Sequence, residues 1–473
     1  MVTDADHGYI HRRPSGNPVT TKTSGVPLVK AVGAELEALL SPTTPETFVR
    51  EYWAKRPLLV KGFPDKYEGL FNRESFLGAL SAPGPAPDAF LQASFDKGRG
   101  ARAPSSAPDE WMSNEFKVTA DEAMPLFDAG ATLCASQIEN RVPALVPFLA
   151  AIKRQLGYPG KVYFNAYLSP PAAGFNWHFD ARIASTLQIE GTKHWRFSNR
   201  PAVVWPRSNG ALRADGTGVY SDPLVQQLEA IGFWQRGEEP RGIPFDENDT
   251  SEVLLEPGDL LILPAGVWHD ARAGDAGSLA LNLCFSPVPY TLLVRNLLDA
   301  LLTPDPGWRA PAPLLPLPGG APGEVDPNGL AEIKAQLAAA ADALRSLAAD
   351  SAPVVRLWGS FVQSPNPAFP TPPPPPISAS PVTPHDRLRV RADRDFHAML
   401  AEGGSRLCIT VGTSHGVEIV GEAIHFVQRL LAENEFVAGD CVRFTEDGSR
   451  LDWDDVAMIL TKLKSDRLIE DVA

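Results

Sequence analysis

Apolar residues recur along this chain at two different periods, and the switches between them mark out its elements. From Thr132 onward, Leu145, Phe148, Ile152 and Leu156 fall three or four residues apart, the spacing of a helix laying one face on a core. A second stripe, Leu292, Leu293, Leu297, Leu298, Leu301 and Leu302, ends near Pro304. A third, Leu330, Ile333, Leu337, Ala341, Leu344 and Leu347, also keeps helical steps, and a short apolar segment from Val354 to Val362 follows. Short apolar runs bounded by Pro or Gly read as strands instead: Leu58-Leu-Val60 after Pro57, and Leu260-Leu-Ile-Leu263 before the turn Pro264-Ala-Gly266. Thr44-Pro45 predicts a helix start, with Thr as N-cap and Pro in the first turn; that helix runs through Phe48 and Trp53 and stops before Pro57.

These patterns divide the chain into a polar, flexible tail at 1–30, a unit at 31–290, a helical module at 291–363, a linker at 364–384 and a terminal domain at 385–473. The linker contains five consecutive prolines, Pro372 to Pro376, and has semi-rigid polyproline II character. Ala82 to Pro108, rich in Pro, Ala and Ser, is expected to loop over the surface. Between Trp205 and Ser251 lies a long insert whose aromatic pair, Phe233 and Trp234, reads as substrate-facing or interfacial. The terminal domain is expected to hold a helix around Phe396 to Leu400, a strand Leu407 to Val411 and a helix with Ala423, Val427 and Leu430. A strand Cys441 to Phe444, a turn at Asp447-Gly448 and a helix with Val456, Ile459, Leu460 and Leu463 complete it.

Composition narrows the class. A length of 473 residues with 44% apolar content can build several sizeable cores. The first thirty residues lack an apolar signal region, and no stretch approaches a membrane span of about 20 apolar residues, so a cytoplasmic protein is expected. Cys134, Cys284, Cys408 and Cys441 show no C-x-x-C spacing and read as reduced thiols. A formal net charge of −14 disfavours nucleic acid and favours a basic partner.

Candidate chemistry centres on His178-Phe-Asp180. On an extended strand, residues two apart project to one side, so His178 and Asp180 can grip one ion. A third ligand must come from elsewhere, and His269, after the strand and turn that end at Gly266, is the natural candidate. Only three of the nine histidines fall between residues 12 and 384, which makes this pairing selective. Two imidazoles and one carboxylate leave coordination positions open, the pattern of non-haem Fe(II) oxygenases rather than of closed structural zinc sites. There is no Ser/His/Asp set with convincing spacing and no G-x-x-x-x-G-K-[ST] loop.

The ordered set Phe48-Val-Arg-Glu-Tyr-Trp53, Tyr163-Phe-Asn-Ala-Tyr167, His178-Phe-Asp180, Leu187-Gln-Ile-Glu-Gly191-Thr-Lys193-His-Trp195 and Pro257-Gly-Asp-Leu-Leu-Ile-Leu-Pro264 to His269 resembles a JmjC domain of the cupin type, closest to the ribosomal oxygenases. The resemblance implies a mixed α+β fold. Its core would be a double-stranded β-helix (a cupin jelly-roll), with N-terminal helices, a helical middle module that dimerises, and a C-terminal winged-helix-like domain. It further implies an enzyme using Fe(II), 2-oxoglutarate and O2 to hydroxylate a protein or peptide side chain. The same chemistry on a small molecule, or a non-catalytic metal-holding cupin, stands as the alternative. In this family pattern Lys193 is placed to bind the distal carboxylate of 2-oxoglutarate, with Tyr167, Thr186 and Asn282 near the cosubstrate. Arg182 continues the His178/Asp180 face, as a substrate or cosubstrate contact or as a rim charge. From Asp386 onward the terminal domain carries 11 Lys and Arg against 17 Asp and Glu, a balance of −6 that argues against DNA binding.

Overall fold

The computed structural model describes residues 27–82, 90–95, 114–213, 215–220, 222–233, 243, 245–315, 324–363, 379–391, 396–411, 415–445 and 450–472. The chain opens with helices α1 (Glu35–Leu40) and α2 (Pro45–Thr47), the latter capped by the Thr44 side chain, which accepts from the Thr47 amide. The turn continues as a π-helix over Phe48–Tyr52 and closes at Trp53, before the strand β1 (Leu58–Val60). Next come α3 (Arg73–Ser81), β2 (Leu91–Phe95), β3 (Asn114–Lys117), α4 (Ala120–Asp128) and β4 (Thr132–Ser136). Helix α5 (Val146–Leu156) buries Phe148, Leu149 and Ile152, as its spacing predicts, and ends on Gly157 in the left-handed region. Two expectations fail here. Leu91–Phe95 is a buried strand within the stretch read as surface loop, and Thr132–Ser136 is a strand, because both pair into the main sheet, β4 lying between β2 and β5 (Val162–Ser169).

The remaining strands are β6 (Gly174–Phe179), β7 (Ile183–Pro201), β8 (Gly210–Leu212), β9 (Gly218–Tyr220), β10 (Thr250–Leu255), β11 (Leu260–Leu263) and β12 (Val267–Phe285). The two long strands, β7 and β12, run antiparallel to each other and each serves two sets of neighbours. Over Ala184–Leu187, β7 pairs with β11, and over Lys193–Ser198 it pairs with β10. Likewise β12 pairs with β6 over His269–Arg272 and with β5 over Ser278–Phe285. A sheet whose long strands change partners midway rolls into a jelly-roll barrel. The corner needs glycine: Gly191 has φ +64°, and a Cβ there would sit 2.1 Å from the Gly277 carbonyl oxygen, with Gly277 at φ +78°.

Outside the larger half of the barrel, alternate residues of β5, β7 and β12 meet the helices in one core containing Phe76, Leu133, Phe148, Phe164, Leu187 and Leu281. Inside, a smaller apolar plug of Trp195, Phe197, Leu255, Leu261, Leu263, Val267 and Ala271 fills one end. Part of the long insert is ordered: β8 pairs with β6, placing Ala211 opposite His178, and α6 (Pro223–Ala230) is capped by the Asp222 carboxylate.

Three helices follow, α7 (Tyr290–Leu302), α8 (Pro327–Ala349) and α9 (Ser351–Gln363). Their periodicity was legible, but their partners were not. α7 buries only Leu297, and α8 only Gly329 and Leu347. α9 packs on the terminal part of the chain, where Ala352 meets Ala401 and Cys408, while the Trp358 indole donates to the Gly157 carbonyl at 2.9 Å.

That terminal part contains β13 (Arg387–Val390), β14 (Phe396–Ala401), β15 (Arg406–Val411), β16 (His415–Val420), α10 (Ala423–Ala432), β17 (Glu435–Val437), α11 (Trp453–Ser465) and β18 (Ile469–Asp471). The strands form two three-stranded sheets around a core with Leu388, Ile409, Phe426, Val427 and Leu460. Two elements differ from expectation. Phe396–Ala401 is a strand because it zips onto β15 along its whole length, and Ala438–Phe444 is a 3-10 helix rather than a strand. The predicted turn at Asp447-Gly448 lies outside the described residues.

Candidate metal centre

β6 and β12 are antiparallel neighbours, and their register sets His178 directly opposite His269. Their ring centres are 4.2 Å apart. Asp180 lies two residues beyond His178, just past the end of β6. Its backbone is pinned there by the Gly266 amide, which donates to the Asp180 carbonyl at 2.9 Å, and by the Asn209 side chain, which accepts from the Ala181 amide at 2.9 Å. One ligand atom from each of His178, Asp180 and His269 lies within 4.8 Å of the others, close enough to share a cation.

The tautomers suit a metal. His178 Nδ1 lies 2.7 Å from the Asn176 carbonyl oxygen and His269 Nδ1 lies 2.9 Å from that of Val267. A carbonyl only accepts, so each Nδ1 carries a proton, which leaves Nε2 as the ring nitrogen available to a metal. Burial, with help from the neighbouring His178, pushes the His269 pKa down to about 3, so the ring is neutral across the working range. For Asp180, burial alone would raise the pKa. The Arg182 guanidinium, with His178 and His269, outweighs it and holds the carboxyl below its usual range. Two imidazoles with Nδ1 turned to backbone carbonyls, beside a carboxylate held below its usual range, fit a divalent ion.

Lys193 is buried in the same interior, its Nζ 5.5 Å from the Tyr167 ring centre, 5.9 Å from Phe175 and 5.8 Å from Trp195. Among the described residues no carboxylate comes within ion-pair distance of it, and burial lowers its pKa to about 8. A buried ammonium held only by aromatic faces is suited to an incoming carboxylate. Thr186 and Asn282 face each other across β7 and β12, with the Thr186 hydroxyl donating to Asn282 Oδ1 at 2.9 Å. Burial raises the Tyr167 pKa well above its ordinary value, so its hydroxyl stays neutral. Arg182, with a quarter of its side chain exposed, places Nη2 3.8 Å from Asp180 Oδ2 and interacts electrostatically with Tyr163, Tyr167 and Cys284.

The insert residues fare differently. Phe233 is 80% exposed just beyond α6, outside the barrel interior, and Trp234 lies outside the described residues. Two interior residues escaped the sequence reading. Asn165 is opposite Asn282 on β5 and extends the polar row across three strands. Trp195 has a buried indole N–H without a hydrogen-bond partner beside Lys193. The alternation Tyr163, Asn165, Tyr167 was the available signal for the former, and the two-residue strand period from Lys193 was the signal for the latter.

The JmjC domain family matches residues 148–215 and 235–291. The uncharacterized protein YxbC of Bacillus subtilis is 27% identical over 283 residues, covering 58% of this chain and 77% of that protein. Ribosomal oxygenase 1 of Rattus norvegicus is 29% identical over 280 residues, covering 58% of this chain but only 41% of its own length. The structure of YcfD, a ribosomal oxygenase from Escherichia coli in complex with cobalt and 2-oxoglutarate, aligns over 91% of this chain and 99% of that chain with 14% identity and a TM-score of 0.46. No helix among the described residues is long and apolar enough to cross a membrane. The two segments that match the JmjC domain family carry all three donors, His178, Asp180 and His269.

Proposed function

We propose that this protein is an Fe(II)- and 2-oxoglutarate-dependent hydroxylase acting on a protein or peptide side chain. The observation that carries the reading is the convergence of one ring nitrogen from each of two histidines and one carboxylate oxygen within 4.8 Å, in an interior that also buries a lysine against aromatic faces. His178, Asp180 and His269 hold the metal. Lys193 receives the distal carboxylate of the cosubstrate, with the Trp195 indole N–H as a second donor and Tyr167, Thr186 and Asn282 along the wall. When bound, iron with 2-oxoglutarate and O2 supplies the oxidising power to hydroxylate an unactivated C–H bond, giving succinate and CO2. The protein contributes position and exclusion of water: the backbone carbonyls of Asn176 and Val267 fix both rings, and the plug of Trp195, Phe197 and Leu261 keeps one end of the barrel dry.

A protein substrate is supported by relatives named ribosomal oxygenase, which match this chain over about half its length. A homodimer through α7 and α8 is supported by the apolar side chains these helices leave at the surface, among them Tyr290, Leu301 and Leu337. The acidic terminal part disfavours DNA. Four free, buried thiols suit the reducing cytoplasm. The test is incubation with Fe(II), 2-oxoglutarate and a peptide library, reading succinate release and a gain of one oxygen by mass spectrometry. Succinate without any oxidised peptide, but with an oxidised small molecule, would replace the substrate class. No succinate at all would leave a metal-holding cupin.

A further inference from the structure

We propose that Arg182 is a receptor for a carboxylate on the substrate, binding it inside the barrel next to the metal. The inference rests on the iron and 2-oxoglutarate reading above and adds a substrate class to it.

Arg182 sits in the turn between β6 and β7 and turns its guanidinium inward, with Nη2 3.8 Å from Asp180 Oδ2. Its Nε is buried and has no hydrogen-bond partner among the described residues. The groups around it are Asp180, Tyr163, Tyr167 and the Cys284 thiol, and two neutral hydroxyls and a thiol cannot balance a fixed positive charge. Glu139, packed in the same wall, is committed elsewhere: its Oε2 accepts from the Phe164 amide at 3.0 Å, and burial pushes its pKa up to about 7.

The charge balance makes Arg182 conspicuous. Asp180 contributes one negative charge, Arg182 and Lys193 two positive ones, and a divalent metal two more. A dianionic 2-oxoglutarate cancels two of the resulting three surplus positives and leaves one. The Arg182 side chain keeps a quarter of its surface exposed, so an incoming group can reach it, and a surplus charge in this partly enclosed interior is costly. Lys193 can shed its proton, but an arginine cannot. Asp180, once it coordinates the metal, has its charge shared with a stronger partner than a guanidinium 3.8 Å away. One further anionic group balances the site, and the planar fork of arginine matches a carboxylate. The overall charge of −14 attracts basic partners at long range, whereas the barrel interior reads only the group inserted into it. That carboxylate can come from an Asp or Glu side chain of a peptide or from a free small acid.

The experiment loads the full-length protein with Mn2+ and 2-oxoglutarate without oxygen and titrates three probes by calorimetry: the tripeptide Ac-Ala-Asp-Ala-amide, its Asn isostere, and N-acetylglycine. At least one acid is expected to bind about tenfold or more tighter than the Asn isostere. In Arg182→Gln that preference should vanish while Mn2+ and 2-oxoglutarate affinities change by less than about threefold; Arg182→Lys, which keeps the charge, should retain part of it. Which acid binds identifies the source. Equal binding of acid and amide by the loaded wild type overturns the proposal. So does an Arg182→Gln protein that loses Mn2+ or 2-oxoglutarate as strongly as the probe, which would make Arg182 a positioning residue for Asp180. A wild type that takes up neither Mn2+ nor 2-oxoglutarate would instead refute the underlying oxygenase reading.

Discussion

Strands β5, β7 and β12 build two faces from alternate residues of the same segments. On the outer face, Val162, Phe164, Leu168, Leu187, Leu281 and Leu283 pack beneath the helices. On the inner face, Tyr163, Asn165, Tyr167, Thr186, Asn282 and Cys284 line the interior with Lys193 and Arg182. The outer face is withdrawn from water and the inner face partly so, yet they contribute with opposite sign. Each buried apolar side chain outside stabilises the fold by roughly 1.5–3 kcal/mol. The inner polar groups cost desolvation energy that the Thr186–Asn282 hydrogen bond and the Arg182–Asp180 contact offset only in part. A barrel selected for stability alone would have filled its interior as the Trp195 plug does. The polar remainder is organised for something that binds.

Substitutions on the two faces should therefore separate function from folding. The largest effect expected is from Asp180→Ala: metal-dependent succinate formation should fall below detection while the circular dichroism spectrum stays that of the wild type. Loss of folded structure in this variant would mean the carboxylate is a structural group. Next, Phe164→Ala removes a fully buried ring from the outer face and should lower stability by about 3–5 kcal/mol in a denaturant titration. A loss under about 1 kcal/mol would show that the outer face is not the main core. Third, Lys193→Met should weaken 2-oxoglutarate binding about tenfold to a hundredfold by calorimetry with Mn2+, yet leave the melting temperature equal or higher, since the cost of burying an ammonium disappears. A protein that melts markedly lower would place Lys193 among the stabilising groups.

The smallest effect is a pH profile. Burial lowers the Lys193 pKa to about 8, and a bound carboxylate would raise it again. Below pH 8 the ammonium is present in the free protein and cosubstrate affinity is complete. Above pH 8 a proton must be taken up on binding, so affinity falls by up to tenfold per pH unit until the bound-state pKa is passed. Lys193→Arg should flatten this dependence, and an unchanged slope would remove Lys193 from the cosubstrate site.

How much of this was legible depended on how local each signal is. The His178/Asp180 pair follows from the two-residue period of a strand, and the helices at 146–156, 290–302 and 327–349 follow from their apolar spacing. The strands Leu91–Phe95 and Thr132–Ser136 escaped because their neighbours are supplied by distant segments, and Phe396–Ala401 because its six residues carry a pattern that only β15 resolves. Lys193 could have been a solvated lysine after Gly191; its burial against Tyr167, Phe175 and Trp195 is a property of three different strands.

By itself the sequence determined which donors exist, which pairs share a face and where glycine allows a corner, since these depend on residue type and on a backbone period of a few residues. Only the tertiary structure decided that His269 stands opposite His178, that Lys193 is enclosed by aromatic faces, and that Arg182 reaches toward Asp180. Those facts depend on the register and closure of a barrel whose pairing segments, such as those of Val162 and Phe285, lie far apart in the chain, and no local pattern encodes them.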